Sequence, residues 1–250
     1  GKIVAVTGAG SGMGRAYALE FASLGAHLAL NDWDQAALQE TVAQVKSKFD
    51  VKIYAQAFDV SSEQDMYVFA EKVKSNLGNA HVILNNAGIE GCAKNAYDSP
   101  NASFRNLINI NYLSVVYGTK AFLPQLVANN EGAVVNVSSI FGLIGAPNHS
   151  DYCAAKFAVR GFTEALMCEF QDSPIQIHCV HPGGINTNIS RSDVSKKFSD
   201  NYLTTAPSSV ARHLVRCLLR NRPKVVYGRD SLRTWIGSNL IPQRWLSRLT

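Results

Sequence analysis

Two residues four positions apart offer acid–base chemistry. Tyr152 and Lys156 are the ends of the segment YCAAK, and on a helix this spacing places both side chains on one face. A free tyrosine has a pKa of about 10, which is too high for a base near neutrality, and a neighbouring ammonium favours its phenolate form. The pair predicts a tyrosine that acts as general acid or base. Ser139 follows an apolar run and offers a hydroxyl that can donate to a substrate oxygen.

A glycine-rich turn follows the first apolar run of the chain. It reads TGAGSGMG from Thr7 to Gly14 and leads directly into a segment of helical period. Glycines allow a tight turn and a close approach of backbone to phosphate, and the start of a helix attracts an anion. The turn therefore predicts a dinucleotide pyrophosphate site. Its expected contacts are Gly8, Ser11, Gly12, Met13 and Gly14.

Asp32 ends the second apolar run, about 20 residues beyond this turn, where a carboxylate binds the adenosine ribose in dinucleotide folds. A carboxylate there also repels a 2′-phosphate, so we expect NAD, although Arg15 could attract that phosphate. The alternative for Asp32 is an N-cap of the next helix. Asp59, followed by Val60, ends the third run and is predicted either to accept from the adenine amine or to serve as an N-cap or turn residue.

Short apolar runs alternate with segments of helical period along the whole chain. The runs show little polar alternation, which is typical of strands buried on both faces of a parallel sheet. We therefore predict an α/β fold: one Rossmann-type, doubly wound parallel sheet of about seven strands with helices on both faces. The predicted strands are Ile3–Val6, His27–Leu30, Lys52–Phe58, His81–Leu84, Ala133–Val137, Ile175–Val180 and Lys224–Tyr227. The predicted helices are Met13–Leu24, Gln35–Lys48, Glu63–Leu77, Ala102–Asn129, Tyr152–Phe170 and Ser208–Leu219.

The composition is that of an ordered globular domain. Of the 250 residues 46% are hydrophobic and 17% charged, and the net charge of +5 is too small and scattered to indicate a nucleic-acid surface. Five cysteines without a C-x-x-C pair argue against a disulfide framework and against a metal site, so we expect a reducing, cytoplasmic location. No apolar run reaches the roughly 18 residues that a membrane span requires.

The motifs and their order resemble the short-chain dehydrogenase/reductase family, from Lys2 to about Gly228. In that family the turn is written TGxxxGxG, which Thr7, Gly8, Gly12 and Gly14 match. Further matches are NNAG at 85–88, Asn111 in NIN, Ser139 in VSSIFG, YxxxK at 152–156, and the pair Pro182-Gly183 followed by Ile185 and Thr187.

The resemblance implies a role for each of these residues. The implied catalytic residues are Ser139, Tyr152, Lys156 and Asn111, with Lys156 on the nicotinamide ribose and Asn111 linking it to solvent through a backbone carbonyl and a water. For Asn111 the alternative is a polar residue that only distorts its helix. The remaining implied cofactor contacts are Asn86, Ala87 and Gly88 beside adenosine, and Pro182, Gly183, Ile185 and Thr187 at the carboxamide. Val60 and Tyr152 are also expected to contact the cofactor. The family also implies a homo-oligomer, a tetramer or a dimer.

The expected substrate contacts are mostly apolar and predict a hydrophobic alcohol or ketone: Ser139, Ile140, Phe141, Asn148, Tyr152 and Gly184. Residues 1–228 are predicted to form the catalytic domain, with a polar substrate lid at about 187–205. Residues 229–250 are a basic amphipathic extension interrupted by Pro242. It could form a subunit interface, cover a neighbouring subunit's active site or contact a membrane surface.

These observations predict an NAD(H)-dependent oxidoreductase that interconverts a secondary alcohol and a ketone, with Tyr152 as general acid and base. One alternative is an NADP(H)-dependent reductase of carrier- or CoA-linked 3-oxoacyl groups, which requires Arg15 to outweigh Asp32. The other is a non-catalytic dinucleotide-binding or membrane-associated protein.

Overall fold

A computed structural model describes residues 1–186 and 204–246 of the chain. The strands are β1 (Ile3–Val6), β2 (His27–Asp32), β3 (Ile53–Ala57), β4 (Val82–Asn85), β5 (Gly132–Val137), β6 (Ile175–Gly183) and β7 (Lys224–Gly228). The helices are α1 (Gly12–Ser23), α2 (Gln35–Lys46), α3 (Glu63–Leu77), α4 (Asn101–Leu107), α5 (Ser114–Asn129), α6 (Ser150–Glu169), α7 (Pro207–Leu219), α8 (Ser231–Leu240) and α9 (Gln243–Leu246).

The strands form one parallel sheet in the order β3-β2-β1-β4-β5-β6-β7. The chain moves outward from β1 to β3, returns to β4 on the other side of β1, and then continues to β7. This reversal opens a crevice at the carboxyl ends of β1 and β4, where doubly wound sheets bind their ligands. The predicted Rossmann-type architecture is confirmed.

Successive residues of the central strands face opposite sides of the sheet, and both sides are covered. Val4 and Leu28 pack in a cluster with residues of α1, α2 and α7, whereas Ala5 and Ile83 pack in a second cluster with residues of α3 and α5. All four are fully or almost fully buried. Burial on both faces is the physical reason why these runs lack polar alternation.

The prediction of one continuous helix over Ala102–Asn129 is wrong, because this stretch is interrupted. A π-helical segment, Ile108–Leu113, separates α4 from α5 and contains Asn111. The wider π turn changes the direction in which backbone groups point, and such insertions are frequent at functional sites. Hydrophobic periodicity does not resolve this one-turn change of hydrogen-bond spacing.

The end of the chain adds two short helices after β7. α8 and α9 lie on either side of Pro242, and α8 packs against β6, β7 and a 3₁₀ turn at Ile140–Gly142. Within the described residues, no helix is long and apolar enough to cross a membrane. The cofactor contact predicted at Thr187 and most of the predicted lid lie outside the described residues.

Candidate active site

The glycine turn between β1 and α1 has the geometry of a phosphate cradle. Gly8 and Gly12 adopt positive φ angles of 65° and 52°, a region that side chains disfavour. At Gly14 an added Cβ would overlap the carbonyl oxygen of Gly8. The turn also leads directly into α1, whose unpaired N–H groups and dipole attract an anion. These features fit the diphosphate of a nicotinamide nucleotide.

The predicted NNAG segment after β4 braces this turn. Thr7 Oγ1 accepts hydrogen bonds from the backbone N–H groups of Asn86 (3.0 Å) and Ala87 (3.1 Å). Asn86 Nδ2 donates to the carbonyl of Thr7 at 2.9 Å. An added Cβ at Gly8 would lie 2.9 Å from Ala87 Cα, so the two segments are in direct backbone contact. The structure therefore brings Ala87 and Asn86 to the nucleotide crevice.

Asp32 lies at the carboxyl end of β2 and faces the glycine turn. Its side chain is 8% exposed, and its two oxygens accept from the N–H groups of Gly10 (2.8 Å) and Asp34 (3.0 Å). The N-cap of α2 is Asp34, which accepts from the backbone of Ala36 and Ala37. The alternative interpretation of Asp32 as this N-cap is therefore wrong, because the cap lies two residues later.

Arg15, the residue that could attract a 2′-phosphate, is already engaged within the protein. Its guanidinium forms a bidentate ion pair with Glu40 at 2.7 and 2.8 Å. It also donates to Thr41 Oγ1 at 3.0 Å and to the carbonyl of Gly10 at 2.5 Å. The hydrogen bond and charge of Arg15 lower the pKa of Glu40. The favourable geometry of a bidentate pair keeps the guanidinium at this position.

Asp59 and Val60 follow β3 at the carboxyl edge of the sheet. Asp59 is exposed, and its Oδ1 accepts from the N–H of Ser61 at 2.9 Å, which is the geometry of an Asx turn. Val60 is buried among the apolar residues that α3 and α5 place on the sheet. The structure therefore shows the predicted turn role of Asp59, while a contact with adenine stays a prediction.

Tyr152 and Lys156 project from the first turns of α6 toward the carboxyl end of β5. Lys156 is 4% exposed, its Nζ donates to the carbonyl of Val137 at 3.0 Å, and it lies 5.7 Å from the centre of the Tyr152 ring. Ser138 Oγ donates to the carbonyl of Lys156 at 2.8 Å and so joins β5 to α6. The side chains of Tyr152 and Lys156 therefore lie close together on one face of α6, as the sequence predicts.

Ser139 completes this group from the end of β5. Its hydroxyl lies within hydrogen-bonding reach of the Tyr152 phenol and accepts from the N–H of Phe141 at 3.2 Å. Its carbonyl lies 3.0 Å from Nδ1 of His181, which is fully buried. Burial lowers the pKa of His181 to about 4, so the neutral imidazole donates to the carbonyl through Nδ1–H. His181 thus holds the backbone of Ser139 in place.

Asn111 is buried in the π segment and uses its side chain to hold the chain after Gly88. It accepts from the N–H of Ile89 at 2.8 Å and donates to the carbonyl of Ile89 at 2.9 Å. An added Cβ at Gly88 would lie 3.2 Å from Asn111 Oδ1 and 3.5 Å from Lys156 Nζ. Three motifs that are far apart in the sequence, NNAG, NIN and YxxxK, therefore meet in one place.

The comparison with known proteins decides the family. A family model described as short chain dehydrogenase matches residues 2–197. The chain belongs to the short-chain dehydrogenase family. A curated relative, estradiol 17-beta-dehydrogenase 11 of Macaca fascicularis, is 32% identical over 253 residues, covering 100% of this chain and 82% of that protein.

Solved structures of the family have the same fold. A short chain dehydrogenase/reductase from Burkholderia phymatum in complex with NAD has a TM-score of 0.88 at 25% identity, covering 94% of this chain and 92% of the other. An alcohol dehydrogenase from Thermococcus sibiricus complexed with 5-hydroxy-NADP has a TM-score of 0.77 at 25% identity, covering 90% and 93%. The family thus includes structures with either type of nicotinamide nucleotide.

Burial shifts the acid–base groups of this short-chain dehydrogenase in opposite directions. It raises the pKa of Tyr152 to about 12, with smaller effects from the charges of Glu90 and Cys153, and the hydrogen bond to Ser139 opposes it. Burial lowers the pKa of Lys156 to about 8. The sequence predicts that Lys156 and an oxidised nicotinamide together lower the pKa of Tyr152, whereas in the protein alone desolvation raises it.

The predicted substrate contacts surround the Tyr152 phenol only in part. The ring of Phe141 meets that of Tyr152 edge to face at 6.2 Å, and an added Cβ at Gly183 would lie 3.0 Å from Ile140. Gly184 has a φ of 52°, and the following Ile185 is buried.

Asn148 lies further out than these residues. It is exposed and lines a polar cavity of about 590 Å³ together with residues 93, 94, 95 and 98. The sequence analysis did not single out this segment. Its lack of periodicity and of any family motif left no signal that it lines this cavity.

Proposed function

We propose that this short-chain dehydrogenase interconverts a hydrophobic secondary alcohol and the corresponding ketone, using NAD(H). The observation that carries the proposal is the meeting of the Ser139 hydroxyl, the Tyr152 phenol and the Lys156 ammonium at the carboxyl edge of β5. A hydroxyl donor, a proton-transfer group and a cation beside one nucleotide crevice match the needs of carbonyl reduction.

Each side chain then has a separate task. Ser139 donates to the substrate oxygen, and Tyr152 gives that oxygen a proton in reduction or removes it in oxidation. Lys156 supplies positive charge near the phenol, and the carbonyl of Asn111 connects it to solvent through water. His181 keeps Ser139 in register with Tyr152 through the bond to its carbonyl.

The nucleotide, when bound, supplies or accepts the hydride. The residues that would hold its diphosphate are those of the glycine turn, and Asn86, Ala87 and Gly88 would line its adenosine side. Lys156 would bind the nicotinamide ribose, and Pro182, Gly183, Ile185 and Thr187 would hold the carboxamide. The close backbone approach at Gly8 and Gly14, which excludes any Cβ, supports this assignment.

The preference for NAD follows from charge at the end of β2. The carboxylate of Asp32 faces the turn, where a 2′-phosphate would meet its negative charge. The NADP(H) alternative requires Arg15 to bind that phosphate, and Arg15 is held by Glu40 in a bidentate pair. Both observations support NAD.

The substrate class follows from the residues beside the phenol. Ile140 and Phe141 offer apolar surface, and apolar walls with a few polar groups are typical of sites for hydrophobic small molecules. The relative named estradiol 17-beta-dehydrogenase 11 has, by its name, a hydrophobic alcohol as substrate. We therefore expect rigid, apolar secondary alcohols and ketones to be the better substrates.

The test is a titration of the purified protein with NADH and NADPH, followed by turnover of a panel of apolar and polar ketones. We expect tighter binding of NADH and turnover of at least one apolar ketone. Tyr152→Phe should bind NADH normally and lose turnover by at least about 100-fold, because only the proton-transfer group is removed. Undiminished turnover in Tyr152→Phe, or no binding of either nucleotide, would contradict the proposal.

A homo-oligomer is the assembly we expect. Sedimentation of the purified protein over a range of concentrations measures it directly, and a monomer at all concentrations would contradict this expectation.

A further inference from the structure

A buried carboxylate precedes the tyrosine. Asp151 lies in the first turn of α6 and is 1% exposed, yet no role in the acid–base chemistry of the site falls to it. Aspartate is almost never buried to this degree unless strong partners replace its water. The partners of Asp151 therefore indicate what the residue does.

Asp151 accepts hydrogen bonds from three donors, which come from different parts of the chain. Oδ2 accepts from the N–H of Cys92 at 3.1 Å and from Ser103 Oγ of α4 at 2.5 Å. Oδ1 accepts from the N–H of Tyr152 at 2.8 Å. Burial alone would raise the pKa of Asp151, but the hydrogen bonds from Ser103, Cys92 and Tyr152 outweigh it and leave the pKa below its ordinary value. Asp151 is thus a charged acceptor at neutral pH.

The main chain at Gly91 lies directly against this carboxylate. An added Cβ at Gly91 would lie 2.5 Å from Asp151 Oδ1 and 3.0 Å from its Cγ. A side chain at position 91 would therefore push the carboxylate away from its donors. Glycine is needed at position 91 because of this close approach and not because of a positive φ angle.

The segment that Asp151 holds, residues 89–99, connects the nucleotide crevice to the polar cavity. Ile89 at its start is bonded to Asn111. Ala93, in its middle, has a φ of 53°, a strained value for a residue with a side chain, and lines the cavity. Asn148, which also lines the cavity, has a φ of 63°. Strained backbone persists only where surrounding contacts hold it in place.

We propose that Asp151 is a positioning residue, which ties segment 89–99 to the start of α6 and so fixes this segment relative to the phenol of Tyr152. The inference deepens the proposed function, on which its kinetic part rests. The donors to this carboxylate are Cys92, Ser103 and Tyr152, none of which belongs to the glycine turn, so the nucleotide affinity should be independent of it.

The test compares wild type with Asp151→Asn and Gly91→Ala. In Asp151→Asn an NH₂ group replaces one acceptor oxygen and must face a donor. In Gly91→Ala the carboxylate is intact but displaced. Asp172→Asn makes the same chemical change at an exposed position just beyond α6 and is the control.

The first readout needs no turnover. Trypsin cleaves after Lys94, in segment 89–99, and we expect the initial rate of this cleavage in native protein to rise at least about tenfold in both variants, since the segment opens more often. Cleavage after Lys48, an exposed residue at the far side of the sheet, is the internal reference and should be unchanged. An unchanged rate after Lys94 would overturn the proposal.

The second readout is kinetic. For the best ketone of the panel, kcat/KM per folded molecule should fall by about 100-fold in both variants, the cost of a reacting group misplaced by about 1 Å, while the Kd for NADH stays within about twofold. Faster cleavage with wild-type kcat/KM would reduce Asp151 to a structural residue and overturn its positioning role.

Two possible complications, a variant that does not fold and a wild type that binds no nucleotide, still leave the proposal testable. If Asp151→Asn does not fold, Ser103→Ala removes one of the three donors, and both readouts should then change in the same direction by smaller factors. If wild type binds no nicotinamide nucleotide, the proposed function fails, whereas the cleavage comparison still decides whether Asp151 holds the segment.

Discussion

Replacing Lys156 by methionine should stabilise the protein while removing its activity. The ammonium is 4% exposed, and burial lowers its pKa from 10.5 to about 8. One pKa unit corresponds to about 1.4 kcal/mol, so keeping this group charged in the folded protein at pH 7 costs about 3 kcal/mol. Methionine has a similar length and no charge to desolvate. Turnover should fall by at least about 100-fold, because the cation beside Tyr152 is lost.

The stabilisation should depend on pH in a direction that the lowered pKa determines. Below about pH 8 the amine is charged in both folded and unfolded chains, and the full cost is present. Between about pH 8 and pH 10.5, Lys156 keeps its proton in the unfolded chain but releases it in the folded chain. The free-energy cost of burying the charge therefore declines as the pH rises. The free energy of unfolding of Lys156→Met should therefore exceed that of wild type by about 3 kcal/mol at pH 7 and by about 1 kcal/mol at pH 9.5.

Urea unfolding followed by tryptophan fluorescence, at one protein concentration and at both pH values, measures this difference. The contributions of other groups that titrate between these pH values cancel in the difference, because wild type and variant share those groups. Lys120→Met, the same change at an exposed position on α5, is the control for the substitution itself. A gain that is equal at pH 7 and pH 9.5, or a loss of stability at pH 7, would refute the reasoning.

Three further predictions concern the nucleotide crevice and the phenol. Asp32→Asn keeps an acceptor for the Gly10 N–H but removes the charge, so the ratio of the NADPH Kd to the NADH Kd should fall at least about tenfold in paired titrations; an unchanged ratio would remove the carboxylate as the determinant. Gly14→Ala places a Cβ against the Gly8 carbonyl and should weaken NADH binding at least about 100-fold in the same titration, whereas Gly145→Ala, where an added Cβ meets nothing within 4 Å, should bind normally. In a pH profile of ketone reduction, kcat/KM should stay level up to about pH 8 and decline above it, since Lys156 loses its proton there while Tyr152 keeps its own to about 12; a profile that rises with pH would contradict this.

Local motifs determined much of this protein before any fold was known. The order of TGxxxGxG, NNAG, Ser139 and YxxxK, together with apolar runs that lack alternation, predicted the parallel sheet and the family, and both are confirmed. These features are readable because they depend on short-range requirements: positive φ in the turn, a period of about 3.6 on α6, and burial of a strand on both faces.

Contacts between distant segments were decided only by the tertiary structure. The pairing of Arg15 with Glu40, the π segment around Asn111 and the bond from His181 to Ser139 each join or reshape parts of the chain whose sequences carry no sign of one another. The same holds for Asp151, which looks like an ordinary acidic residue at the start of a helix. Its burial and its three donors exist only because α4, α6 and segment 89–99 pack together, and the free energy of a buried charge depends on all its neighbours at once.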